Sequence, residues 1–197
     1  MLTYLKNCKC AFKIEPLEDS WFDLDELDKH HLLKPLSPTA RLLLTSDGSM
    51  TQMLEALTFS SASMYIEKQG LLPAGHTLPD LISRADTKEV LDREAWLYAG
   101  GKKLIYAHSL LTVSERNDTA IDSIKETNKP LGKVLREDCV KTLRTSCRIG
   151  TVKSISISTS FGISPETILW ARHYKLNTDS GIEGIIFELF SPELLEQ

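Results

Sequence analysis

The residues best placed to do chemistry are charges that fall on otherwise apolar strand faces. In residues 90–98 (VLDREAWLY), alternation puts Leu91, Arg93, Ala95 and Leu97 on one face and Asp92, Glu94, Trp96 and Tyr98 on the other. Residues 184–190 place Glu188 with Ile186 and Phe190, while Ile185, Phe187 and Leu189 make the second face apolar as well. In residues 167–176, Arg172 shares a face with Ile168, Trp170, Tyr174 and Leu176. A buried charge without a counterpart is strongly unfavourable, so Arg93, Arg172 and Glu188 must meet one another or a ligand. A hairpin centred near Ser180 sets Arg172 roughly opposite Glu188, and a cross-strand salt bridge then accounts for both. Arg93 is left over, because its neighbours Asp92 and Glu94 point to the opposite face. A planar guanidinium in that position suits a carboxylate.

Two helix starts add anion-binding capacity. Ser49 followed by Gln52 is a capping-box pattern, which predicts a helix of about two turns from Met50. Asn128-Lys129-Pro130-Leu131-Gly132 predicts a second start, with Pro130 near the first helical position and Gly132 open to a ligand approaching the backbone. First-turn N–H groups at the positive end of the helix dipole favour an anion. The backbone at Met50, Thr51, Leu131 and Gly132 therefore joins the candidates, although most capped helices bind nothing.

Other chemistry is thin. His30 and His31 lie in a polar segment and read as solvated. His108 alternates with Tyr106 and Leu110 and reads as a hydrogen-bonded sheet residue rather than a base. His76 and His173 have no visible catalytic partner. Cys8, Cys10, Cys139 and Cys147 match no zinc spacing, so reduced structural thiols and no metal are expected. G-x-S-x-G, G-x-G-x-x-G and phosphate-loop patterns are missing, which argues against common hydrolases, dinucleotide enzymes and nucleotide-binding loops.

These side chains need a sheet to hold them. Strands are expected at 9–15, 61–68, 90–98, 103–113, 151–159, 167–176 and 184–190, with the Ser-rich 154–160 alternating as a strand would. Helices are expected at 22–33 and 118–127, besides the two starts above. Gly100-Gly101 and Asn177–Gly181 read as hairpin turns, Lys34–Pro38 as a linker, and 71–88 as a loop. Hairpin strands with helices grouped between them imply an α+β fold, a mostly antiparallel sheet with helices on one side. The 197 residues are read as a single domain, with 1–36 an N-terminal extension packed on it or flanking it.

Charge narrows the function classes. With 23 Lys and Arg against 27 Asp and Glu, the net charge is −4, and the basic footprint of a nucleic-acid binder is missing. Lys133, Arg136, Lys141, Arg144 and Arg148 are spaced apart and read as the wet face of a helix and its following strand. No apolar run nears the roughly 20 residues that span a bilayer. Lys6, Lys9 and Lys13 interrupt the stretch where a secretory core would sit. The expectation is a cytosolic protein that takes a small-molecule substrate, with no membrane insertion.

Five segments in order, Asp47-Gly48-Ser49-Met50-Thr51, Leu91-Asp92-Arg93-Glu94, Lys129-Pro130-Leu131-Gly132, Leu169-Trp170-Ala171-Arg172 and Phe187-Glu188-Leu189-Phe190-Ser191-Pro192, resemble chorismate pyruvate-lyase and the wider chorismate lyase-like group. The resemblance covers roughly residues 40–193. It implies conversion of chorismate to 4-hydroxybenzoate and pyruvate, an early step towards ubiquinone or plastoquinone, without metal or cofactor. It also implies a six-stranded antiparallel sheet with flap-like segments over a buried pocket. By that resemblance Arg93 binds the ring carboxylate, helped by the backbone N–H groups of Met50 and Leu131. Glu188 then lies at the other end near the reacting ether oxygen, as a proton donor. Arg172 either holds the enolpyruvyl carboxylate or tunes Glu188. The stretch Thr112-Val113-Ser114-Glu115 lacks a proline expected there, and the flap sequences around 70–85 and 114–128 diverge.

Two other readings compete. A non-catalytic binding module for an aromatic or other small carboxylic acid, as in effector domains of bacterial regulators with this fold, needs Arg93 but no acid. Its DNA-binding partner would not fit the first 40 residues, which are short and acidic. A same-fold enzyme acting on a related enolpyruvyl acid is the third, since fold alone does not choose a substrate.

Overall fold

Period-two patterning accounts for most of what folds here. The computed structural model describes residues 11–73, 89–113, 118–126 and 129–196. Two short strands, β1 (Glu15–Pro16) and β2 (Phe22–Asp23), precede six long ones: β3 (Ser63–Pro73), β4 (Glu89–Ala99), β5 (Lys102–Val113), β6 (Thr142–Lys153), β7 (Leu169–Thr178) and β8 (Glu183–Phe190). They form one antiparallel sheet in the order β1-β6-β7-β8-β5-β4-β3, with β2 also on β6. Among the described residues the sheet has eight strands, two more than the six that the resemblance implies, and the short β1 and β2 on β6 make the difference. The β4–β5 hairpin turns through Gly100 (φ 59°) and Gly101 (φ 75°), a left-handed backbone that glycine adopts without a side-chain penalty.

Both faces of the sheet are covered. On the Arg93 face, helices α1 (Pro38–Thr45), α2 (Met50–Thr58) and the last short helix bury Leu43, Leu44, Leu54 and Leu194 against Leu97, Ile105 and Phe190. Helices α3 (Asp118–Lys125) and α4 (Leu131–Glu137) bring Ile121, Ile124, Val134 and Leu135 onto Leu91, Leu111 and Ile186. On the other face Trp96, Tyr106, Phe187 and Leu189 lie beneath Ile14, Trp21 and Ile157. Trp21 packs so closely that a Cβ on Gly150 would sit 2.4 Å from its indole, so only a hydrogen fits there. No helix among the described residues is long and apolar enough to cross a membrane.

Five local expectations are corrected. The Ser-rich stretch is not a strand: β6 ends at Lys153 and α5 (Ile155–Phe161) follows. The reason is capping, because the Ser154 side chain accepts from Ile157 N and donates to Lys13 O at 2.6 Å, and Gly162 closes the helix at φ 76°. This places one helix on the face opposite the others. Residues 22–33 are not one helix; Phe22 pairs with Ile149, Leu24 N donates to Cys147 O, and a 3-10 helix spans Leu27–Leu33. The linker reading hid α1, whose Ser37 cap and Pro38 at the first position are helix-start signals. Strand β3 runs on to Pro73, five residues past the expected end. The strand expected at 9–15 survives only as Glu15–Pro16, and its beginning lies outside the described residues. So do His76, Cys8, Cys10, residues 74–85 of the first flap sequence and 114–117 and 127–128 of the second.

Candidate active site

The site is set by cross-strand register. Arg93 on β4 lies opposite Ser109 on β5, which lies opposite Ile186 on β8. One step along, Ala95, Ala107 and Glu188 form the next row, and Glu188 lies opposite Arg172 on β7. Arg93 and Glu188 are thus two strands apart, roughly 9–10 Å sideways. Between them stand Ala95, Ala107 and Ser109, whose small side chains leave a hollow on the sheet. The hollow is a cavity, roofed by Met50 at the start of α2 and by Leu131 and Gly132 at the start of α4, with Arg93, Tyr174 and Glu188 in its wall.

Each charge is held differently. Arg93 is 2% exposed, its Nη2 donates to Lys129 O at 3.4 Å, and burial pushes its pKa down to about 10. A guanidinium in such surroundings gains strongly from an incoming carboxylate. Arg172 is fully buried. Its Nε donates to Glu188 Oε2 at 2.7 Å, and its Nη1 donates to Leu43 O at 2.8 Å and Ser46 O at 2.7 Å, at the end of α1. Burial works against this guanidinium, but the Glu188 charge more than offsets it and holds the group above the usual arginine value. Arg172 stands behind Glu188 and is not in the cavity wall. The second Glu188 oxygen, Oε1, accepts from the Tyr174 hydroxyl at 3.5 Å. Burial and the Glu188 charge push the Tyr174 phenol well up, so it stays a donor.

Of the two readings the sequence offers for Arg172, the cross-strand pair with Glu188 forms, and the residue lies outside the cavity wall where a ligand contact would need it. Sequence reasoning missed Tyr174, which it had on the right face but treated as apolar filling. It also missed Arg144, read as a wet basic residue, which lines the cavity instead. The Ser49 cap, accepting from Gln52 N at 3.5 Å, is as expected, and so is Pro130 near the first position of α4, as the residue just before it.

A second cluster lies on the opposite face. His108 Nε2 and Asp92 Oδ1 are 2.6 Å apart, and Lys68 Nζ donates to Asp92 Oδ2 at 3.1 Å and Glu94 Oε1 at 3.5 Å. Tyr106 donates to Glu94, and so does the Ala11 N–H. Burial opposes the Asp92 charge, but His108 and Lys68 outweigh it and hold that carboxyl below its usual value. Asp92, Glu94 and His108 are close enough to hold a cation, and the Lys68 ammonium supplies the positive charge there. The expectation that His108 is a bonded sheet residue holds, with Asp92 as its partner.

Comparison with known proteins decides the family. The model of the family described as Chorismate pyruvate-lyase Rv2949c-like matches residues 44–197. The chain belongs to that family. A "Probable chorismate pyruvate-lyase" from Nitrosospira multiformis is 28% identical over 174 residues, spanning 86% of this chain and 95% of the relative. Among solved structures, the effector domain of PhnF from Mycobacterium smegmatis superposes with a TM-score of 0.55 at 17% identity, covering 74% of this chain and 90% of that domain. At that identity the likeness is one of fold. This chain and that effector domain thus share a fold.

Proposed function

We propose that the protein eliminates pyruvate from chorismate to give 4-hydroxybenzoate, a ring from which quinone head groups are built. The observation that carries this reading is a single cavity with a buried arginine at one end and a buried, hydrogen-bonded carboxylate at the other. Arg93 takes the ring carboxylate, with the backbone N–H groups of Met50 and Leu131 beside it. Glu188 then faces the edge of the ring that reacts.

The chemistry asks little of the protein beyond placement. The ether C–O bond breaks, the carbon bearing the ring hydroxyl loses its proton, and the ring becomes aromatic while keeping that hydroxyl. Glu188, held by Arg172, accepts the ring proton and returns it to the departing enolpyruvate, which becomes pyruvate. Arg172 acts as a positioning residue that fixes the carboxylate, and Tyr174 orients its second oxygen. Holding the substrate in one pose and matching its charges supplies most of the acceleration. No step needs an oxidant or a second substrate.

The test is to mix EDTA-treated protein with chorismate and quantify 4-hydroxybenzoate and pyruvate in parallel. Equal amounts of the two are expected, and the rate should be unaffected by the chelator. Thermal stabilisation by 4-hydroxybenzoate without turnover would instead support the binding-module reading.

A further inference from the structure

Chorismate carries two carboxylates, and the reading above accounts for one. The ring carboxylate meets Arg93, while that of the enolpyruvyl group, two bonds from the breaking ether oxygen, needs a cation on the Glu188 side. Arg172 does not serve, since Glu188 and the carbonyls of Leu43 and Ser46 hold its guanidinium behind the wall. Among the described residues, the other cation in the cavity wall is Arg144.

Arg144 comes from β6 opposite Leu176, on the Tyr174 side of the sheet. Its Nη1 donates to Asp47 O at 2.6 Å, which ties it to the loop before α2. Its guanidinium carbon lies 5.5 Å from the centre of the Tyr174 ring, whose hydroxyl reaches Glu188. The Arg144 side chain is also within hydrogen-bonding reach of the Tyr174 hydroxyl, and its buried Nε has no assigned partner among the described residues, which leaves a donor for a ligand. The residue also has a second setting. A surface groove lined by Arg136, Cys139 and Thr142 meets the cavity at Ser49, Gly132, Leu135 and Arg144. Arg144 stands between the cavity and the groove.

Resting on the lyase reading, we propose that Arg144 binds the enolpyruvyl carboxylate and that the adjoining groove is the way out for pyruvate. Arg144 thereby selects a dicarboxylate over a simple aromatic acid. Arg93 serves substrate and ring product alike, whereas Arg144 serves only the group that leaves.

The experiment compares wild type, Arg144→Gln and Arg144→Lys for the KM of chorismate and the inhibition constant of 4-hydroxybenzoate. Loss of a charge-assisted contact should raise the KM of Arg144→Gln by about tenfold or more. The inhibition constant should stay within about twofold, since the monocarboxylate does not meet Arg144, and Arg144→Lys should recover part of the loss. A KM that does not change, or a KM and an inhibition constant that rise together, overturns the assignment while the lyase reading stands. A wild type that does not turn chorismate over removes the reading itself, and the assignment with it. Melting temperatures identify a misfolded glutamine variant, and the lysine variant then carries the comparison.

Discussion

Asp92, Arg93 and Glu94 are consecutive in β4, all three are buried, and they belong to two different regions. Asp92 and Glu94 face a closed network in which Lys68, His108, Tyr106 and the Ala11 N–H supply the partners. Arg93 faces a cavity floored by alanine and serine. The difference teaches that buried charge is not by itself the mark of a site. A closed cluster of opposite charges holds a fold together, whereas a buried charge beside an empty volume has room for a ligand.

That contrast can be broken by substitution. Arg93→Ala should lower kcat/KM on the order of a thousandfold, about 4 kcal/mol of transition-state stabilisation, while circular dichroism shows an intact sheet. An unchanged kcat/KM would falsify the cavity assignment. Glu94→Ala should do the reverse. It removes a buried acceptor from Tyr106 and Lys68 and should lower unfolding stability by about 3 kcal/mol in urea titrations, with the KM of the remaining folded protein unchanged. If it impairs turnover as much as Arg93→Ala does, the two faces are not functionally separate.

Glu188→Gln keeps the shape and removes the proton acceptor. A fall in kcat of about a hundredfold, with 4-hydroxybenzoate still bound, is expected from inhibition and single-turnover measurements. Full turnover would reduce Glu188 to a partner of Arg172.

The smallest effect concerns the closed face. His173 lies under Trp21, with ring centres 5.4 Å apart, and burial pushes its imidazole from 6.5 down to about 3. The unfolded chain binds the proton more readily, so this stability is fully present above pH 6.5 and is lost as pH falls towards 3. Between pH 7 and pH 5 the loss should be about 2 kcal/mol, and His173→Phe should flatten it. Denaturant midpoints at the two pH values check this, and an equal slope in both proteins would locate the pH dependence elsewhere.

Much of this was legible in the chain before folding, for a physical reason. A strand has two faces, so Arg93, Arg172 and Glu188 announce themselves by standing among Leu, Ile and Trp. The turn through Ser180 and Gly181 then fixes the register that pairs Arg172 with Glu188. What was not legible depends on contacts between distant strands. Lys68 reaches Asp92 and Glu94 because β3 slips register between Ile66 and Lys68, and local patterning does not report such a slip. Arg144 belongs to a strand with exposed and half-buried neighbours, so nothing in its alternation separates it from Arg148. The helix Ile155–Phe161 alternates like a strand, and only the Ser154 cap and Gly162 reveal it.

The hold of Arg172 on the end of α1 has a kinetic consequence. Its bonds to Leu43 and Ser46 join residues 129 and 126 positions apart in the chain. Contacts of such span close late, after the local hairpins have formed. Arg172, already opposite Glu188 in the β7–β8 hairpin, is therefore anchored only when that hairpin meets the end of α1. Refolding followed in parallel by circular dichroism and by turnover should show the sheet returning first, and simultaneous recovery would mean that this clasp closes early.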